Sequence, residues 1–148
     1  MGSILNHVDR ANIVRRMQSL AAGSTPRWGT LDVVGMLQHL HLSAQMTLGN
    51  LAVPSSNKRI FQVFPLKHLI LYVFPFPKGA PTAPALKPAE TTEFELERTA
   101  LLNSLEQIAA GPHDTAPPAH PLFGPLSWKE WGVVTYKHAD HHLKQFGA

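Results

Sequence analysis

The sequence predicts an all-α fold, a four-helix bundle forming one domain over residues 1–148. Three observations lead there. The chain of 148 residues, 44% hydrophobic and 16% charged, suits one globular core and excludes wholesale disorder. Its 13 prolines are unevenly placed, at Pro26, Pro54 and Pro65, then in runs from Pro75 to Pro88 and from Pro112 to Pro125. A proline inside a helix removes a hydrogen bond and costs about 3 kcal/mol, so four proline-free stretches remain for helices: 1–25, 27–53, 89–111 and 126–148. Each carries apolar residues at helical spacing, whereas strand-like alternation is nowhere sustained.

The first helix is expected to open at Asp9 as N-cap, to bury Ile13, Val14, Met17, Leu20 and Ala21, and to stop at Gly23. In the second, capped by Thr30 and running from Leu31 to about Thr47, Val33, Val34, Met36, Leu37, Leu40 and Ala44 form a broad apolar arc opposed by Asp32, Gln38 and Gln45. The third follows Pro88. Its acidic first half, with Glu90, Glu93, Glu95 and Glu97, suits the positive end of a helix dipole, and Phe94, Leu101, Leu105 and Ile108 point inward before Gly111. The last opens on the capping box Ser127-Trp128-Lys129-Glu130 and runs through Trp131, Val134 and His138 to about Phe146. Between the second and third lies a connection of about 40 residues, long enough to be a crossover. Within it, Pro65 to Phe74 reads as a short helix, apolar nearly all round, that plugs an end of the bundle; Phe76 to Pro88 reads as an extended surface linker.

Charge and composition exclude several functions. Thirteen Lys and Arg against ten Asp and Glu leave a scattered +3, without the basic stripe or recognition arm of a nucleic-acid binder. The absence of cysteine excludes disulfides, thiolate metal sites and a cysteine nucleophile, and is compatible with a cytoplasmic location. Charge in MGSILNHVDRANIVRR comes too early for a signal core, and no apolar run reaches the roughly 20 residues of a transmembrane helix.

Nine histidines nearly match the acidic residues in number, and His138, His141 and His142 fall within five positions. At 100° per residue, His138 and His142 share the inward arc with Trp131 and Thr135, whereas His141 sits at the edge beside Lys137. An i, i+4 pair lets two imidazoles reach one ion. A third ligand must come from another helix. His39 shares a face with Val33 and Met46, and His41 lies towards the polar side, so His39 is the choice. Three neutral imidazoles make a nitrogen-rich site suited to Zn²⁺ or Ni²⁺ with positions left for water or substrate. Set against this, an isolated HxxxH on a helix is more often a pair of packed, satisfied rings.

Further residues alter that balance. Trp28-Gly29, Met36-Leu37-Gln38-His39-Leu40, His120-Pro121-Leu122-Phe123-Gly124 (an HP-x-FG motif) and the HxxHH-L-x-QF run His138 to Phe146, entered through Tyr136-Lys137, resemble an uncharacterised branch of the DinB-like (DinB/YfiT-type) superfamily across most of the chain. The resemblance implies an up-down-down-up bundle holding a divalent metal on His39, His138 and His142. Some members of that superfamily are thiol S-transferases or thiol-dependent isomerases, so a metal-dependent small-molecule enzyme of hydrolase or thiol-transferase type is the expectation. The alternatives are a metal- or ligand-binding bundle without turnover and a structural homodimer without metal. His120 is expected to orient the turn into the last helix. His7, His68 and His113 lack partners by spacing, the three tryptophans read as packing, and neither Asp32 nor Asp140 is a safe general base.

Overall fold

The structure, a computed structural model, describes residues 1–89 and 92–148; Glu90, expected at the start of the third long helix, lies outside the described residues. The described residues are all-helical, with α1 at His7–Gln18, α2 at Val33–Thr47, a short α3 at Leu66–Tyr72, α4 at Phe94–Ala110 and α5 at Trp128–Gln145. Two 3-10 turns, Arg59–Gln62 and Pro84–Leu86, lie in the connection between α2 and α4. No helix among the described residues is long and apolar enough to cross a membrane.

Helix starts follow whichever polar side chain reaches an orphan N–H. α1 begins before the expected Asp9, because Asn6 accepts from the N–H groups of Val8 and Asp9 at 2.9 and 3.1 Å. Asp9 turns back instead and accepts from Ser3 N at 3.0 Å. α2 is capped by Asp32, not Thr30. The Asp32 carboxylate accepts from Gly35 N at 2.7 Å and also brings negative charge to the positive helix end. α4 starts at Phe94, several residues beyond Pro88, after an extended Glu93, and stops where Gly111 takes φ +81°. α5 has the expected capping box, with Ser127 Oγ accepting from Glu130 N and Glu130 Oε2 accepting from Ser127 N.

Side-chain pairs fix the relative directions of the long helices. His41 and Gln45 of α2 meet Glu97 and Ser104 of α4 in that order, so α2 and α4 run parallel. Arg10 meets Glu106, while Arg98 reaches the carbonyl oxygens of Gln18 and Leu20, so α1 opposes α4. α1 and α5 are parallel: Ile4 N, just before α1, donates to Gly132 O, and Arg16 pairs with Asp140. Gly132 is required at that approach, since a Cβ there would stand 2.5 Å from Ser3 Oγ and 2.8 Å from Leu5 Cγ. Two consecutive long helices that run parallel need a connection travelling the length of one of them, about 22 Å for the 15 residues of α2. That is why the α2–α4 connection is long.

Two buried apolar clusters stack along the helices. One joins Ile4, Ile13 and Met17 to the first half of α2, to Leu101, Leu105 and Ile108 of α4, and to Leu143 and Phe146. The other joins Met46, Trp131 and Val134 to Phe123 and Leu126 and to two residues of the crossover, Leu71 and Leu86. The expected short helix therefore packs inward through Leu71, over the end of the bundle where α2 finishes and α5 starts. Its flanks do not follow, because Phe64 is 84% exposed, and Ile60, Val63, Val73 and Phe74 are also exposed. Nor is Phe76 to Pro88 wholly a surface linker: Leu86 is buried as part of the second cluster.

Candidate metal centre

His39 lies in the middle of α2, and His138 and His142 stand one turn apart on α5. The arc of Val33, Met36, Leu37 and Leu40 turns α2 inward, and that of Trp131, Ala139 and Leu143 does the same for α5, so the three imidazoles are carried into the contact between the helices. One nitrogen from each ring lies within 4.8 Å of the other two, and His39 Nε2 is 3.0 Å from His138 Nε2. His39 and His142 are 5% and 9% exposed, and His138 is half-buried.

Neighbouring groups set the tautomers. The Leu86 carbonyl oxygen can only accept, so His39 Nδ1, 2.8 Å away, carries the proton and its Nε2 lone pair faces inward. Gln145 donates through Nε2 to Trp28 O at 2.7 Å, which turns its Oε1 towards His142 Nδ1 at 2.8 Å. His142 is then also protonated at Nδ1, with Nε2 free. Because His39 Nε2 is an acceptor, His138 Nε2 is the donor in the 3.0 Å contact between them. Burial, the largest cause in each case, pushes the titration of His39 down, that of His142 to about 4 and that of His138 well below 6.5, with the neighbouring imidazoles lowering the last two further. Each shift favours the neutral ring, the state a metal ligand needs. Donors held at about 2.1 Å in a tetrahedral site stand about 3.4 Å apart. The separations here, from 3.0 Å up to 4.8 Å, bracket that distance.

Most of the remaining histidines have other partners, and His7 is exposed at the start of α1. His41 Nδ1 donates to Glu97 Oε2 at 3.1 Å, and Gln38 and Thr92 also reach that buried carboxylate. His120 orients the turn before α5, as expected: its Nδ1 accepts from the N–H groups of Leu122 and Phe123 at 3.0 and 3.2 Å, and Gly124 closes the turn at φ +67°. Burial, with Lys67 nearby, pushes His120 down to about 4. His113 donates to Ile108 O, and His68 packs on Tyr72. Carboxylates are committed elsewhere, Asp32 to its helix cap and Asp140 to Arg16 and Lys144 at 2.8 and 2.7 Å.

His141 is edge-on to His142, with ring centroids 5.2 Å apart, and it lines a cavity of about 350 Å³ on the outer side of the cluster. Trp128 and Trp131 are packing residues, donating to Thr115 O and Pro118 O, and Trp28, half-buried with its ring 6.0 Å from that of His141, also forms a wall of this cavity. Phe76 stands between cavity and cluster, its ring 6.2 Å from His138 and 6.4 Å from His141. Sequence reasoning did not give roles to Leu86, Gln145 or Phe76. Only Gln145 had a local signal, its position three residues after His142 on the same helix.

A family model described as "Protein of unknown function (DUF1569)" matches residues 3–148. No curated protein matches the chain, and no solved structure does.

Proposed function

We propose, for a chain that belongs to the DUF1569 family, that His39, His138 and His142 hold one divalent ion, Zn²⁺ or Ni²⁺, and that the site serves a metal-dependent reaction on a small molecule. The observation carrying this reading is the pair of outer hydrogen bonds, from His39 Nδ1 to Leu86 O and from His142 Nδ1 to Gln145 Oε1. Packing alone does not require both Nδ1–H groups to be fixed so that both Nε2 lone pairs are left free, whereas metal-ligating histidines are held by such outer partners. The parallel pair α2 and α4, opposed to α1 and α5, together with a histidine on α2 and HxxxH on α5, supports a DinB-like up-down-down-up bundle as the scaffold.

A bound ion supplies Lewis acidity that lowers the pKa of a water or a substrate thiol, which suits hydrolysis or thiol transfer. His39 and His142 are set to ligate as they stand. His138 must move its proton from Nε2 to Nδ1 or release it. Buried Thr135 Oγ1, one turn before His138, is without a partner among the described residues and offers a hydroxyl on the same face. A second reading, a metal- or ligand-binding bundle without turnover, is favoured by one observation: Asp140 is tied to Arg16 and Lys144, and Glu97 to His41, which leaves neither as a free general base.

Elemental analysis of untagged protein, with melting curves in added Zn²⁺ or Ni²⁺, tests the site. At a hundredfold excess over Kd an ion stabilises the fold by about 2.7 kcal/mol, roughly 5 to 10 °C in melting temperature. The expected result is one ion per chain in wild type and none in His138→Ala. Protein that carries no ion and whose melting ignores both metals at pH 7.5 would sink the reading. A panel of esters and thiols then separates catalysis from binding alone.

A further inference from the structure

The cavity outside the histidine cluster has a composition that names its ligand. Trp28 and Phe76, with Pro75 and Pro77 on either side of Phe76, give it walls that are flat, rigid and apolar. Its rim is cationic, from Lys78 and Lys144. Lys78 Nζ lies 4.2 Å from the Trp28 ring centroid, and Lys144 pairs with Asp140 while its side chain stays 65% exposed, so both cations are held at the mouth by interactions that an anion can replace. The volume of about 350 Å³ falls at the low end of small-molecule sites. His141 forms the wall nearest the cluster, and the Phe76 ring touches both His138 and His141.

We propose that this cavity is the substrate pocket of the metal centre and that it takes an organic anion, a flat apolar body lying between Trp28 and Phe76 with a carboxylate or sulfonate at Lys78 and Lys144. The inference rests on the function proposed above for the location of the reaction, but not for binding. A ligand of this class stacks its body on aromatic faces, which is worth about 0.5–1.5 kcal/mol per ring beyond burial. Its charge then meets two ammonium groups that, among the described residues, contact no carboxylate except the already paired Asp140. Rotation of Phe76, whose ring centroid lies 6.2 Å from that of His138, would bring the far end of the body towards the histidine cluster.

The test uses two fluorescent probes on the full chain, anilinonaphthalene sulfonate and its neutral counterpart N-phenylnaphthylamine. The sulfonate should bind one per chain. Trp28→Ala should weaken both probes roughly tenfold, about 1.4 kcal/mol. The double variant Lys78→Ala/Lys144→Ala, confined to exposed side chains and so safe for folding, should weaken the sulfonate about fivefold or more and leave the amine unchanged. Phe64→Ser, on the separate exposed apolar face, should change neither probe. His138→Ala stripped of metal should still bind the sulfonate, so an ion-free wild type would defeat the metal reading and leave the pocket standing. The pocket fails if Phe64→Ser abolishes binding and Trp28→Ala does not, or if the double lysine variant affects both probes alike.

Discussion

Single side chains decide most of what this site can do, and the residue scale separates candidate ligands from the groups that orient them. The grouping of His39, His138 and His142 was legible because helical periodicity turns an i, i+4 pair and a histidine of α2 inward, while the family resemblance is what singled them out as candidate ligands. Their outer partners were not. The Leu86 carbonyl is a backbone atom 47 positions from His39, and nothing in a local pattern announces it. Gln145 turns His142 by one hydrogen bond and holds Trp28 O by another, so Gln145→Ala should leave the site able to fill at saturating Zn²⁺ while lowering affinity about 10- to 100-fold, read by competition with a chelator. An unchanged affinity would mean that His142 does not ligate through Nε2. His41 also proved more consequential than its place near the polar side of α2 implied. It is one of three groups satisfying buried Glu97, so His41→Ala should cost about 1–2 kcal/mol in urea unfolding with metal content unchanged, whereas a residue on a free polar face would cost about 0.5 kcal/mol at most.

Elements were legible where their signals were local. The Ser127 capping box, the stop at Gly111 and the short helix after Pro65 were all expected from sequence. The starts of α1 and α2 were displaced because Asn6 and Asp9, or Thr30 and Asp32, are all acceptable caps, and the choice depends on where the preceding segment is held. The attachment of α3 was hidden for a similar reason. Lys137, expected near the edge of α5, is 8% exposed and donates to the carbonyl oxygens of Ile70 and Leu71, with its Nζ also 5.0 Å from the Phe76 ring centroid. This ammonium group satisfies the last turn of α3, whose C-terminal carbonyls have few helical partners. Lys137→Met keeps the length and loses the donor, so it should destabilise the fold by about 2 kcal/mol and speed amide exchange across Leu66–Tyr72 more than elsewhere. Uniform exchange across the chain in that variant would show that the crossover is held by Leu71 alone.

For the whole molecule, packing α2 parallel to α4 sends a long crossover over the histidines, and the result is a core whose burial disfavours the charged form of its imidazoles. Five imidazoles, those of His39, His120, His138, His141 and His142, titrate below their ordinary value because burial disfavours the cation. Each is neutral when folded and becomes protonated near pH 6.5 when unfolded. Between those limits the unfolded chain binds more protons, so the stability they contribute is present above about pH 6.5 and is lost as pH falls towards 4. For His120 and His142, shifted to about 4, the loss is at most about 3 kcal/mol each, at about 1.4 kcal/mol per pH unit. Zn²⁺ adds a second acid-sensitive component, since protons compete for His39, His138 and His142. His120 distinguishes the two components because it is outside the ligand set and acts through two backbone hydrogen bonds at Nδ1, which the carbonyl of an asparagine could accept. In metal-free protein, His120→Asn should flatten the fall of unfolding free energy between pH 6.5 and pH 4.5 by about 1.4 kcal/mol per pH unit, with little change at pH 7.5. In the same variant, the pH at which Zn²⁺ leaves under limiting metal should match wild type. Equal acid slopes in the two metal-free proteins would show that His120 is already protonated in the folded state; a shifted Zn²⁺ release would show that the turn before α5 and the histidine cluster are one coupled unit.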